Sequence, residues 1–295
     1  MRRINTMGWT ALAVPRCELA ESPRYAHGGW TWLDIKQRRL YRLKQKSLLS
    51  SPLQRVEVIA LPDEIACVLP TSQPDLWMAY GRQGAWRMQA NQLTLAMNAP
   101  FDSTKHRFND GRADSAGRAW VSSLVDARQP ATAALYRMQH GQAKAMVDGL
   151  IVGNGLAFSP CNRWLYLTDT RQRAVWRYAF DLAKGELGQR ELLHTYTEGT
   201  ERPDGAVVSA DGSYWVAVIE GYRLDRFNAA GTLVEQVELP LARPTMPCLG
   251  GPHGDEMMVC SALPDLHFPN RPGFEQASLI AARVSAQALP ENQVV

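Results

Sequence analysis

The chain has 295 residues, of which 45% are hydrophobic and 21% charged, fractions that are ordinary for a folded globular protein. They exclude a disordered or collagen-like chain, and no apolar run approaches the ~18 residues of a membrane-spanning helix. The 32 basic and 29 acidic residues leave a net charge of +3, which is too balanced for a binder of nucleic acids or membrane surfaces.

The cysteines are few and widely spaced. They are Cys17, Cys67, Cys161, Cys248 and Cys260. No two of them form a C-x-x-C pair, so a zinc knuckle and a thioredoxin-like motif are excluded. We interpret them as buried free thiols in a reducing compartment. Residues 1–16 contain two arginines but no apolar segment typical of a signal peptide, so the expected location is the cytoplasm.

Six short hydrophobic segments recur along the chain, and each is typical of a β-strand. They are 30–34, 76–80, 119–123, 165–169, 214–218 and 257–261. Each contains a bulky marker residue, and these markers are Trp32, Trp77, Trp120, Tyr166, Trp215 and Met258. Consecutive markers are 43 to 49 residues apart, a regularity that indicates an internal repeat.

A second strand pattern with a central arginine follows each of the first five markers. The copies are 40–43, 85–88, 135–138, 175–178 and 224–227, with a weaker sixth copy at 279–284. Turn residues precede the first strand of several units, as in 114–117 and 210–213, and others separate the two strands. Each unit therefore consists of turn, strand, turn and strand.

No segment shows a sustained helical period, so the repeats predict an all-β protein. All-β repeats of ~40–50 residues are typical of a β-propeller, in which each repeat forms one four-stranded blade around a central channel. We expect one six-bladed propeller domain over residues 1–295, since a single sheet or sandwich does not explain sixfold periodicity. Residues 10–15 are expected to pair with the last blade and close the ring.

Polar residues recur at one phase of the repeat, eleven or twelve residues before four of the markers. They are Glu21, Asn109, Asn154 and Asp204, and the other two copies have Ala66 and Pro247 there. Equivalent positions of a propeller lie at the same height around the axis, so these side chains should converge at one mouth of the channel.

The four side chains supply two carboxylates and two amides, with no thiolate and no histidine. Oxygen ligands of this kind suit Ca²⁺, Mg²⁺ or Mn²⁺, and Zn²⁺ also occupies oxygen-rich sites. The set therefore predicts a site for one divalent cation. An alternative interpretation stays open, because Asn-Gly and Asp-Gly pairs such as Asn154-Gly155 and Asp204-Gly205 are also common turn signals.

Four segments around these residues resemble motifs of the regucalcin/gluconolactonase family, which includes senescence marker protein and sugar lactonases. They are 19–23, 107–118, 153–159 and 203–205, with 107–118 (RFNDGRADSAGR) the most similar. The resemblance covers nearly the whole chain. One departure is Ala20, where the family usually has glycine before the acid.

The resemblance implies a six-bladed propeller that hydrolyses an aldonolactone, such as gluconolactone, to the aldonic acid with one divalent metal in the channel. The implied metal ligands are Glu21, Asn154 and Asp204. Arg107 and Asn109 would contact the substrate, and so would Asp126, the nearest match to an acidic residue that the family often has after Trp120.

The implied mechanism follows from the chemistry of lactones, which are esters and react through a tetrahedral oxyanion. A divalent ion on three protein oxygens polarises the carbonyl and lowers the pKa of its bound water. Asp204 would then be the general base. The expected partner is a small sugar lactone, with no nucleic acid and no membrane.

Two other functions fit a propeller of this kind, because the fold alone does not determine activity. One is an esterase or organophosphatase-like hydrolase, although the catalytic histidine common in that group has no strong motif here. The other is a non-catalytic propeller that binds a metal or sugar acid and regulates a partner. Substrate choice is expected to depend on the loops at 122–134 and 264–274.

Overall fold

The structure is a computed structural model that describes residues 2–4, 8–197 and 199–295. Over these residues the regular structure consists of the strands β1–β25, and no helix is long and apolar enough to span a bilayer. The strands form six sheets of four or five strands each. The predicted six-bladed β-propeller is therefore confirmed.

Blades 1 to 3 each contain four consecutive antiparallel strands. Blade 1 contains β3 (Ala20–Ala26), β4 (Gly29–Asp34), β5 (Arg39–Leu43) and β6 (Glu57–Ala60). Blade 2 contains β7 (Cys67–Pro70), β8 (Leu76–Tyr80), β9 (Gly84–Gln89) and β10 (Gln92–Asn98). Blade 3 contains β11 (His106–Ala113), β12 (Ala119–Val125), β13 (Ala133–Gln139) and β14 (Gln142–Leu150).

Blades 5 and 6 differ from blade 4 because each includes a strand from the N-terminal segment. Blade 4 contains β15 (Gly153–Phe158), β16 (Trp164–Asp169), β17 (Ala174–Asp181) and β18 (Glu186–Thr195). Blade 5 contains β19 (Arg202–Val208), β20 (Tyr214–Ile219), β21 (Arg223–Phe227), β22 (Leu233–Glu238) and β1 (Arg2–Ile4). Blade 6 contains β23 (Pro244–Gly250), β24 (Glu256–Ser261), β25 (Leu279–Arg283) and β2 (Thr10–Ala11).

The chain builds each blade from the channel outward. The innermost strands are β3, β7, β11, β15, β19 and β23, and each contacts the next one around a closed ring. All six marker residues lie on the second strands, and the segments with the central arginine lie on the third strands. The repeat therefore predicted the second and third strands of every blade, including the weak sixth copy.

The turn at 114–117 shows how the local sequence sets one of these strand connections. The Asp114 carboxylate accepts hydrogen bonds from the N–H groups of Ala116 and Arg118, at 2.9 and 3.1 Å. Gly117 has a φ of +82°, which glycine adopts without strain. Asp114 also accepts a 2.9 Å bond from the indole N–H of Trp120, so the turn anchors the marker residue of blade 3.

The hydrophobic core lies between the blades rather than inside any one of them. Six clusters of buried side chains each join two neighbouring blades, and together they complete the ring. Trp32, for example, packs with Met258 of blade 6, and Trp120 packs with Leu165 of blade 4. Because a blade buries its faces only against its neighbours, ring closure is a condition for folding.

All five cysteines are free, and Cys17, Cys67, Cys248 and Cys260 are buried as predicted. The prediction was wrong for Cys161, which is exposed. Cys161 lies in the turn between β15 and β16, where the inward position belongs to Ser159. The Ser159 hydroxyl accepts hydrogen bonds from the next turn residues, at 3.2 Å from the Arg163 N–H. The Cys161 side chain is consequently left on the outside.

The N-terminal segment closes the ring as predicted. Thr10 and Ala11 pair with Ala281 and Ile280 of β25, and the Leu12 N–H donates a 3.0 Å hydrogen bond to the Leu279 carbonyl. β2 thus covers the outer edge of blade 6, which would otherwise be an exposed strand edge.

Deletion of residues 1–15 should therefore lower the melting temperature by more than about 5 °C, because it exposes the edge of β25 and removes buried Leu12 from the cluster between blades 6 and 1. Differential scanning calorimetry measures this change. Deletion of residues 1–7 alone, which removes β1 and keeps β2, is the control and should have a smaller effect. Equal melting temperatures for the 1–15 deletion and the full chain would contradict the closure role.

The C-terminal segment crosses the end of the channel at which the innermost strands finish. The N–H groups of Val294 and Val295 donate to the carbonyls of Pro70 and Gly117, in blades 2 and 3. The Glu291 carboxylate lies 2.9 Å from Arg112 Nη1 and 3.5 Å from Arg24 Nε. Both arginines are buried on innermost strands, so Glu291 neutralises positive charge inside the channel.

Glu291→Gln should lower the free energy of unfolding by about 2 kcal/mol, because it leaves the buried cations Arg24 and Arg112 without this counter-charge. Urea denaturation at neutral pH measures the change. Glu186→Gln is the matched control, since the Glu186 carboxylate also contacts two cations but is 43% exposed. That control should change stability little. Equal effects of the two substitutions would refute the buried role of Glu291.

Candidate active site

The four polar residues predicted to converge lie near the starts of four innermost strands. Glu21 is on β3, Asn109 on β11, Asn154 on β15 and Asp204 on β19. All four line one cavity of about 220 Å³ at this end of the channel, which we call the central cavity. Blades 2 and 6 contribute neither Ala66 nor Pro247 to its lining, so the site is asymmetric as expected.

A β-bulge interrupts each of these four strands beside its polar residue. The register against the second strand shifts between Glu21 and Arg24, between Phe108 and Gly111, between Asn154 and Ala157, and between Pro203 and Ala206. The pairing of β7 in blade 2, which has no polar residue at this phase, shows no such shift. Bulges re-aim side chains, so they present these polar groups to the channel.

The Asn-Gly and Asp-Gly pairs therefore mark bulges within strands, and the alternative interpretation of them as turns was wrong. The glycines are required by close packing between blades. Gly155 has a φ of +59°, and a Cβ there would lie 2.5 Å from the Tyr214 hydroxyl. A Cβ on Gly205 would lie 2.7 Å from the Met246 side chain of the next blade. Any larger residue would push neighbouring innermost strands apart.

A chain of hydrogen bonds joins the polar residues across three blades. Arg107 Nη1 donates to Asn109 Oδ1 at 2.9 Å, and Asn109 Nδ2 donates to Asn154 Oδ1 at 3.0 Å. Asn154 Nδ2 in turn donates to Asp204 Oδ1 and, at 2.9 Å, to Thr170 Oγ1. The chain orients both amides and directs the Asn154 donor onto the Asp204 carboxylate.

Asp204 is buried and Glu21 is half-buried in the same cavity, and the charge of Asp204 raises the cost of ionising Glu21. Burial first, and then the charge of Asp204, raise the pKa of Glu21 well above its ordinary value. Burial and the charge of Asp110 raise the pKa of Asp204 to about 7. The Glu21 carboxylate accepts a 3.1 Å bond from the Ser22 N–H. Among the described residues neither carboxylate has an ion pair with a cationic side chain.

Sequence reasoning missed two residues of this site. Asp110 is buried below the cavity, where its carboxylate accepts the N–H groups of Gly111 and Leu156 at 2.7 and 2.8 Å. Thr170 lines the cavity and lies 3.5 Å from Asp204 Oδ1. Asp110 follows Asn109 directly, so its phase in the repeat was a usable signal. Thr170 directly follows β16, the second strand of blade 4, so it lies at a different phase of the repeat from Asn109 and Asn154.

Asp126 lies outside the lining of the central cavity, two residues before Arg128, which lines it. Both Asp126 oxygens are bound by Arg82, at 2.7 and 3.1 Å, and the side chain is 41% exposed. The structure thus brings together Glu21, Asn154 and Asp204 with Arg107 and Asn109, whereas Asp126 is at the rim. Its contact with substrate stays a prediction.

The donor set of the cavity fits a divalent cation. Among the described residues no group of three or more His, Cys, Asp or Glu side chains lies close enough together to hold a metal ion. Any set of metal ligands in this cavity must therefore include an amide oxygen. Glu21, Asn154 and Asp204 offer hard oxygen atoms, which suit Ca²⁺ or Mg²⁺. Burial first, and then the charge of a neighbouring acid, raise the pKa of both carboxylates, and a bound cation would offset this cost of ionisation.

The fold and the cavity define a six-bladed β-propeller with an oxygen-lined central pocket. The chain belongs to the family described as SMP-30/Gluconolactonase/LRE-like region, which matches residues 19–263. The family resemblance seen in the sequence is therefore confirmed.

Individual relatives agree with the family assignment. A 6-deoxy-6-sulfogluconolactonase of Pseudomonas putida is 36% identical over 225 residues, covering 75% of this chain and 74% of that protein. Regucalcin of Gallus gallus is 26% identical, and the match covers 84% of each chain. The crystal structure of regucalcin from Agrobacterium tumefaciens, a calcium-binding protein, superposes with a TM-score of 0.89 at 21% identity over 100% of this chain and 99% of that one.

Asp204→Asn should stabilise the chelator-treated protein above pH 7, by about 1–2 kcal/mol, because it removes a buried charge from beside Glu21 and Asp110. A raised pKa means that the wild type loses stability as the pH rises through about 7. The difference between the two proteins should therefore shrink below that pH. Thermal unfolding between pH 5 and 8.5 with a chelator measures both effects.

Asp126→Asn is the control for this experiment, because Asp126 is bound by Arg82 rather than crowded by other acids. Burial raises its pKa, but the hydrogen bond and charge of Arg82 outweigh it and lower the pKa overall. Its removal should leave the protein unchanged or slightly less stable above pH 7. Destabilisation by Asp204→Asn at pH 8 would show that the carboxylates of Glu21 and Asp204 do not repel each other.

Proposed function

We propose that the protein is a divalent-metal-dependent hydrolase that opens sugar lactones to aldonic acids. The observation that carries this proposal is the meeting of Glu21, Asn154 and Asp204 in one cavity with Arg107 and Asn109. The relative from Pseudomonas putida, named a 6-deoxy-6-sulfogluconolactonase, supports the reaction class.

Glu21, Asn154 and Asp204 are the residues that would hold the ion. The calcium-binding regucalcin structure supports a divalent cation, and the oxygen donors accept Ca²⁺, Zn²⁺, Mg²⁺ or Mn²⁺. When bound, the ion would supply positive charge that polarises the lactone carbonyl. Its charge would also keep both carboxylates ionised at neutral pH.

Asp204 is the proposed general base. Its Oδ1 atom accepts hydrogen bonds from Asn154 and Thr170, while Oδ2 has no donor among the described residues and is available to take a proton from water. General-base assistance typically contributes ~10²–10⁴ in rate.

Arg107 and Asn109 are proposed to position the sugar. Among the described residues the Arg107 side chain donates two hydrogen bonds, both from Nη1, to the carbonyl of Phe108 and to Asn109 Oδ1 at 2.9 Å each. Nε and Nη2 are then available for substrate hydroxyls. Burial lowers the pKa of Arg107 to about 10, so the guanidinium stays charged at neutral pH. Asn109 is held by Arg107 and Asn154, which keeps its amide in one orientation.

Acid release on a panel of γ- and δ-lactones tests the proposal. Chelator-treated protein should be inactive and regain turnover with Ca²⁺, Zn²⁺, Mg²⁺ or Mn²⁺ in a pH-stat assay. Asp204→Ala should lower kcat by at least about 10³-fold at saturating metal while the circular dichroism spectrum is unchanged. Asp181→Ala, which removes a surface carboxylate on blade 4, is the matched control and should keep full activity.

Different results would favour the other functions. Stabilisation by metal without acid release from any lactone would indicate a binding protein. Hydrolysis of simple esters or phosphotriesters in preference to lactones would indicate the organophosphatase-like class. Substantial activity of Asp204→Ala at saturating metal would exclude Asp204 as the general base.

A further inference from the structure

The lining of the central cavity is strongly basic. Besides the carboxylates of Glu21 and Asp204 it contains five arginines, and these are Arg107, Arg128, Arg171, Arg202 and Arg243. A neutral sugar ring with a metal ion does not require this excess of positive charge. The five arginines differ in whether the protein itself supplies a partner for their charge.

Three of the five arginines already have partners in the protein. Arg202 lies 2.6 Å from the Glu220 carboxylate, and Arg243 lies 3.4 Å from Asp265. Arg107 is buried and bound to Asn109.

Arg128 and Arg171 have no ion pair among the described residues. Arg128 Nη1 is buried and has no hydrogen-bond partner in the part of the chain that the structure describes, although buried donors of this kind are normally paired. The two side chains line the same cavity, and the charge of Arg171 adds to burial in lowering the pKa of Arg128. Two like charges are thus held near one another beside an open cavity.

The fold holds both arginines at the same mouth as the polar residues. Arg128 is in the loop between β12 and β13, has a φ of +60°, and donates its N–H to the Val125 carbonyl at 3.1 Å. Arg171 follows β16, and its N–H donates to Asp169 Oδ1 at 2.9 Å. The ends of β12 and β16 pair with the starts of β11 and β15, which carry Asn109 and Asn154.

We propose that Arg128 and Arg171 form an anion-binding subsite, which selects lactones that carry a second, anionic group away from the ring carbonyl. This inference rests on the proposed lactonase function and specifies its substrate class. Guanidinium groups bind sulfonate, phosphate and carboxylate oxygens through paired hydrogen bonds. Such an anion would accept a hydrogen bond from Arg128 Nη1 and would also offset the repulsion between the two cations.

Steady-state kinetics of the metal-loaded enzyme tests the subsite. The substrates are gluconolactone and its analogues with a sulfonate, phosphate or carboxylate at C6. Comparison of the three analogues shows which anionic group the subsite prefers. The wild type should have a higher kcat/KM for at least one anionic lactone than for gluconolactone. Arg171→Gln and Arg128→Gln should each lower that value about tenfold, mainly through KM, and should leave gluconolactone turnover within about twofold.

Arg87→Gln is the matched control, because Arg87 is an exposed arginine on β9 outside the central cavity. It should leave the preference for anionic lactones intact. Arg171→Lys should keep part of the preference, which a merely structural role would not explain. The inference is overturned if gluconolactone is preferred, or if Arg171→Gln and Arg128→Gln reduce turnover of the neutral and anionic lactones equally.

A binding measurement separates failure of the subsite from failure of the lactonase proposal. If no lactone is opened, the proposed function fails, and calorimetric titration with gluconate and its C6-sulfonate, C6-phosphate and C6-carboxylate analogues decides the subsite. Tighter binding of one of the acids with a second anionic group, reduced about tenfold by Arg171→Gln, would support the subsite. Equal binding of all four acids, or an affinity for the acids with a second anionic group that Arg171→Gln leaves unchanged, would overturn it.

Discussion

The meeting of two carboxylates in one cavity, Asp204 buried and Glu21 half-buried, is the constraint on which the rest of this structure depends. Glu21 and Asp204 come from blades 1 and 5, and a third acid, Asp110, lies directly below them. Such a set is costly in a medium of low polarity unless positive charge lies nearby. The channel supplies that charge from below through Arg24 and Arg112, both of which lower the pKa of Asp110 against the effect of its burial.

The propeller tolerates the free-energy cost of these carboxylates because its stabilising hydrophobic contacts lie between the blades. Its hydrophobic clusters lie between the blades, and the ring is completed by the strand at Thr10–Ala11. The channel is therefore free to hold polar groups without weakening a continuous core. Glycines such as Gly205 let the innermost strands approach closely, which keeps the channel narrow enough for side chains of four blades to meet.

The sequence predicted most of the fold because the repeat sets both the number of blades and the phase of each strand. The same phase predicted that Glu21, Asn154 and Asp204 share one cavity. It did not predict the β-bulges, because Asn-Gly and Asp-Gly pairs favour turns locally and only strand pairing distinguishes the two. The pairing of Asp126 with Arg82 was also missed, because it joins loops of different blades, whose conformation the repeat does not determine.

Charge alternates along the channel, but this order does not by itself require a basic mouth. Glu291 lies at one end, then come the cations Arg24 and Arg112, and above them the acids Asp110, Glu21 and Asp204. A divalent ion at Glu21 and Asp204 would neutralise the acid layer, so Arg128 and Arg171 are not needed to balance it. These two arginines lie in loops and not at a repeated strand position of the blades. Their charge can therefore be matched to a substrate while the residues proposed to bind the metal stay the same.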